Sequence, residues 1–181
     1  MKPAKRIKKA PSNNNYVDNV KFYEAMKVYI YKCREAKEAG MERPVPNNYI
    51  GKCIMDIATN LARSHKFSRY IQKDEMIEDG IENCITYIDR FDPDKYRNPH
   101  AYFTQIVFFA FLRRIELEKK ILYNKYKQIE QFNFESKLSG AIEQITYSDG
   151  AYENMEKYMR DYEEKQEKKK LEKELNGKEN Q

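Results

Sequence analysis

The stretch "NPHAYFTQIVFFAFLRR", residues 98–114, decides how this chain is read. It opens on Asn98-Pro99 and closes on Arg113-Arg114, and from Ile106 to Leu112 every residue is apolar. A surface helix normally carries one apolar stripe about 100° wide and a polar back. Sorted by helical angle, Phe103, Val107, Ala110 and Phe111 form one stripe. Tyr102, Ile106, Phe109 and Arg113 form a second, with Gln105 beside it. Helix packing readily uses one such stripe. The second carries a phenol and an amide and ends in guanidinium groups, an order suited to stacking on bases and following phosphates. Periodicity alone leaves the simpler alternative open: a central helix buried all round.

Outward from this stretch the sequence reads as helices with little sheet. Six glycines and six prolines in 181 residues leave few breakers, and Lys, Glu, Ile and Tyr are abundant. Residues 1–15 hold five bases and no acid and predict a disordered basic arm. Helices are expected over about 17–39, 49–66, 73–90, 99–126 and 151–175. Gly40 suits the stop of the first, and Asn47 or Asn48 the cap of the second. Pro99 suits a first helical position because its missing N–H is not needed there. These elements make a helical domain over 16–130, an irregular linker over 131–150 and a charged C-terminal helix and tail over 151–181.

Charge is arranged in blocks. From Asp74 to Asp94 eight acids face Arg90 alone, whereas from Lys95 to Lys127 eight bases face Glu116 and Glu118. Two solvated helix faces would explain this as well as two binding surfaces would. Cys33, Cys53 and Cys84 are far apart, no C-x-x-C occurs, and His65 and His100 are the only histidines. A structural zinc site is therefore not expected, and the odd thiol count fits a reducing compartment. No P-loop, G-x-S-x-G or H-E-x-x-H is present. Glu78 and Asp79 read as a solvated face before they read as a magnesium site. Neither a catalytic residue nor a cofactor nor a metal is expected, and no apolar run is long enough to span a membrane.

Residues 75–115, "EMIEDGIENCITYIDRFDPDKYRNPHAYFTQIVFFAFLRRI", resemble region 2 of bacterial sigma factors, and most closely the late-transcription sigma factors of T-even-type bacteriophages. The family's acid-apolar-apolar-polar-acid-Gly start corresponds to Glu75–Gly80, and its Asp-basic-Phe helix end to Asp89-Arg90-Phe91. The phage pattern K-Y-[KR]-N-P-H-A-Y-x-T-Q corresponds to Lys95–Gln105. Similarity extends to "NYVDNV" at 15–20 and "YENMEKYMRDYEE" at 152–164.

The resemblance implies an all-α, sigma region-2-like bundle. It also implies a protein that directs host core RNA polymerase to A·T-rich late promoters in the cytoplasm of the infected bacterium. On this reading Glu75, Glu78, Asp79, Glu82 and Ile85 dock on the clamp helices of the polymerase's largest subunit. Tyr102, Gln105, Ile106, Phe109, Arg113, Arg114, Lys119 and Lys120 meet promoter DNA. The adjacent tryptophans of primary sigma factors fall here on Gln105 and Ile106, and the family's polar contacts one turn later on Phe108 and Phe109. A late coactivator and a sliding clamp are further partners of the phage type. However, the tail after Tyr162 offers only Leu171 and Leu175 as apolar anchors. Two other readings stay open: a helical nucleic-acid-binding protein that never meets polymerase, and a polymerase-binding adaptor or anti-sigma that reads no promoter.

Overall fold

A computed structural model describes residues 16–138 and 150–178. The expected basic arm at 1–15, and residues 139–149 of the expected linker, lie outside them. Five α-helices and one 3-10 turn make up the described residues, without a strand: α1 (Asn19–Glu38), α2 (Asn48–Arg63), α3 (Lys73–Thr86), the turn Ile88–Arg90, α4 (Pro99–Leu138) and α5 (Ala151–Lys178). The all-α expectation is met.

Local chemistry sets most of these boundaries. The Asp18 carboxylate accepts from the amides of Val20 and Lys21 at the start of α1, and Asn47 Oδ1 accepts from Ile50 N at 2.8 Å in α2. Gly40, at φ +67°, ends α1. There Met41 N donates to Ala36 O and Gly40 N to Lys37 O, the paired bonds of a Schellman stop. In α4 Asn98 Oδ1 accepts from Ala101 N at 3.0 Å while Pro99 fills the first helical position.

Two boundaries differ from expectation. The helix expected to reach residue 90 ends at Thr86, and its continuation tightens into the 3-10 turn. That turn leaves Ile88 and Phe91 both buried. The helix expected to stop near 126 continues to Leu138, so residues 131–138 are helical and not irregular linker. Between 127 and 138 there is no Gly or Pro to stop propagation.

The chain forms two compact units, and the boundary between them falls inside α4, after Leu112. In the first unit Phe22, Met26 and Ile30 of α1, Ile50, Ile54 and Ile57 of α2, and Met76 and Cys84 of α3 are buried. They form one core with Phe103, Val107 and Phe111 of α4. Phe22 and Phe103 lie 5.6 Å apart by ring centroids. Gly80 explains how closely α3 and α4 approach, because a Cβ there would stand 2.9 Å from Phe111 Cε1 and 3.0 Å from Val107 Cγ1.

The second unit is an antiparallel pairing of the rest of α4 with α5. Tyr123 stacks on Tyr162 at 4.6 Å, Tyr126 meets Tyr158 edge-on, and Lys169 pairs with Glu116. The C-terminal helix expected over 151–175 is present and runs to Lys178. Beyond Tyr162 its side chains are exposed as far as they are described.

Candidate nucleic-acid and protein interface

The acidic face comes first in the chain. Met76, Gly80 and Cys84 turn α3's buried side inward. Glu75, Glu78 and Glu82 are exposed, and Asp79 and Ile85 are half-buried at the margin of the same face. The spacing of three and four residues brings all five together on one side of the helix. Among the described residues no ion pair neutralises Glu75, Glu78 or Glu82. Asp79 is tied in locally, its carbonyl accepting from Asn83 Nδ2 at 2.7 Å. The face is therefore a concentrated negative surface with an isoleucine at its edge, suited to a basic protein partner.

The loop that follows is fixed to α1. Arg34 forks onto Asp92 and Asp94 at 3.1 and 2.9 Å. Tyr31 donates to Asp94 and Tyr23 to the carbonyl of Pro93. Arg34 and Tyr31 together hold the Asp94 carboxyl below its usual range. This clamp fixes where α4 begins. His100, the second residue of α4, hydrogen-bonds to the Tyr16 hydroxyl through Nε2 at 2.9 Å, and its amide donates to Asn19 Oδ1. Burial pushes its pKa down. Its role is structural, as its place near a helix end suggests.

The two stripes of α4 separate as the periodicity indicates. Phe103, Val107, Ala110 and Phe111 are buried. On the second, Tyr102 and Ile106 are half-buried, Gln105 is exposed, and Phe109 keeps 49% of its surface in water. Tyr102 is held more firmly than a free stacking platform would be. Its ring meets Phe91 and Phe103 edge-on at 5.3 and 5.2 Å, its hydroxyl points to the carbonyl of Tyr87 at 3.4 Å, and burial raises its pKa. Arg90 sits 4.5 Å over the Tyr87 ring, adding a cation to that edge of the unit.

Arg113, Arg114, Lys119 and Lys120 belong to the second unit. Arg113, Lys119 and Lys120 are exposed. Arg114 is half-buried, with Nε bonded to Glu118 at 2.8 Å, so part of its charge is satisfied within its own helix. The carbonyl of Lys119 accepts from the Tyr158 hydroxyl.

A third surface of α4 extends beyond both stripes. His100, Ala101, Thr104, Gln105, Phe108 and Phe109 line an open, shallow, mainly apolar surface on α4. Phe108 falls on neither stripe, and Lys66 lies 5.3 Å over its ring from the turn after α2. The signal was a lone phenylalanine inside a basic run, "RSHKFSR" at 63–69.

No helix among the described residues is long and apolar enough to cross a membrane, and no group of three or more potential metal ligands occurs among them. No protein-family model matches the chain, and no curated protein matches it significantly.

Proposed function

We propose that the chain is a phage-type sigma factor, which binds host core RNA polymerase and directs it to A·T-rich late promoters. One observation supports this above the others. The segment that resembles sigma region 2, residues 75–115, carries an exposed carboxylate face on α3 and a partly exposed aromatic face on α4, two surfaces of opposite chemistry on neighbouring helices of one unit. The acidic face fits the polymerase's clamp helices. Gln105, Ile106 and Phe109 face the unpaired promoter strand, with Tyr102 packed at the margin. Arg113, Arg114, Lys119 and Lys120 are proposed as phosphate contacts of the second unit in their own right.

Energetics put promoter opening on the polymerase and not on the free chain. Extruding bases from a duplex costs a few kcal/mol. The net charge of +5 gives little non-specific hold on DNA.

The decisive experiment is transcription from an A·T-rich promoter with purified core enzyme, run beside a polymerase pull-down. Glu75→Lys with Glu78→Lys, both exposed, should abolish docking, because like charges at a complementary interface cost several kcal/mol. The circular-dichroism spectrum should stay helical. Adding Asp79→Lys should deepen the loss, with more risk to folding because Asp79 is half-buried. Docking without transcription would replace the proposal with an adaptor or anti-sigma. DNA binding without docking would replace it with a plain nucleic-acid-binding protein.

A further inference from the structure

Arg63 ends α2 and the turn that follows carries Lys66 and Arg69, with no acid between residues 63 and 69, and all three bases are exposed. Its shape is fixed. The amides of Phe67 and Ser68 both donate to the carbonyl of Ser64, at 3.0 and 2.8 Å. Phe67 is buried and packs edge-on against Phe108 at 5.8 Å and Phe111 at 5.1 Å. The basic turn is thereby pinned to α4 through Phe67. The consequence is that Lys66 stands over Phe108, and Phe108 in turn meets Phe109 at 5.9 Å.

Phenyl faces bordered by cations match a polymer whose flat bases are unpaired and whose backbone is anionic. Duplex DNA hides its base faces, and an acidic peptide would use the cations but leave the phenyl groups in water. We propose that Phe108 and Phe109 stack on bases of single-stranded DNA while Lys66, flanked by Arg63 and Arg69, holds its phosphates. This rests on the reading of α4 as a DNA-facing helix. It moves the main contact from the Tyr102 edge to the Phe108 edge and adds the turn after α2 to it.

The test is fluorescence anisotropy of the full chain with a labelled oligothymidylate, free and annealed to its complement, across a salt series. The wild type should bind the single strand more tightly than the duplex. Lys66→Gln should make the slope of log affinity against log salt shallower by about 0.7, one phosphate contact on a single strand. Phe109→Ala should weaken binding roughly tenfold at every salt concentration without moving that slope. Both side chains are exposed or lie on an exposed turn, so circular dichroism should match the wild type. Absence of single-strand binding, or a Lys66→Gln slope equal to the wild type's, overturns the proposal.

The free chain is the reagent here, so failure of polymerase docking cannot imitate failure of this site. Lys66-dependent single-strand binding without polymerase-dependent transcription would end the sigma reading and leave this one standing.

Discussion

The two units of the chain are held by different chemistry. In the first, phenylalanines, isoleucines and methionines are removed from water altogether, among them Phe22, Phe91, Phe103, Phe111, Ile54 and Met76. In the second, among the described residues, only Met155, Met159 and Ser136 are buried. The helices there meet through tyrosine rings and charged tips: Tyr123 on Tyr162, Tyr123's hydroxyl on Glu163, and Lys127 on Glu163. Apolar burial contributes about 25 cal/mol for each Å² removed from water, whereas exposed ion pairs contribute roughly 0–1 kcal/mol each. The proposed binding faces of α3 and the first part of α4 thus stand on the firmly packed unit. The second unit is built on marginal contacts.

The largest expected effect is in that core. Phe103→Ala should lower stability by roughly 3–5 kcal/mol in denaturant unfolding. Phe109→Ala, a few residues along the same helix, should stay within about 1 kcal/mol because its ring is already half in water. Tyr102→Ala should fall between them, since its ring touches Phe91 and Phe103. Equal losses at Phe103 and Phe109 would mean that the second stripe is also core.

Next in size is Gly80→Ala. Crowding Phe111 and Val107 should cost about 1–3 kcal/mol, while replacing a helical glycine returns roughly 1 kcal/mol. The net loss should be up to about 2 kcal/mol. Val107→Ala added to Gly80→Ala should cost less than the sum of the two, as expected for side chains in contact. Strict additivity would show that the helices separate to admit the new methyl.

A smaller and local effect is expected in the second unit. Tyr123→Ala removes the Tyr162 stack, worth about 0.5–1.5 kcal/mol beyond the area it buries. Hydrogen exchange should quicken in residues 116–138 and 155–169 and leave the first unit's amides unchanged. Loss of protection in both would mean that they unfold as one.

The first unit was largely legible in the sequence because its signals are local. The cap at Asn47, the stop at Gly40 and Pro99 at the head of α4 each act within one turn. The buried stripe Phe103–Val107–Ala110–Phe111 followed from angle alone. The end of α4 did not, since nothing in "KQIEQFNFESKL" marks where an uninterrupted helix should stop. The division after Leu112 was also hidden, because helical periodicity carries straight through it. At the candidate site, the acidic face of α3 could be read from spacing, but the Lys66–Phe108 contact could not. It joins residues 42 positions apart through the burial of Phe67, a tertiary event with no local code.

The smallest expected effect separates the two units by pH. The ordinary histidine pKa is 6.5, and burial lowers it for His100, whose ring sits at the N-terminal end of α4, where a positive charge is also disfavoured. The folded chain therefore binds fewer protons there than the unfolded chain, so this contribution to stability is present above pH 6.5 and lost as the pH falls below it. In the second unit the Glu163 carboxyl is held below its ordinary 4.5 by the Tyr123 hydroxyl and the Lys127 ammonium. Glu116 is held low in the same way by Lys169. Those contributions are present above 4.5 and lost only as the pH falls through the lower folded values. Between pH 7.5 and 5.5 the first unit should thus weaken while the α4–α5 contacts hold. His100→Gln should flatten that change, read as hydrogen-exchange protection around α1 and the start of α4. A wild-type profile that survives His100→Gln would show that the ring gains its proton as freely in the fold as in water, and that the Tyr16 contact does not hold it.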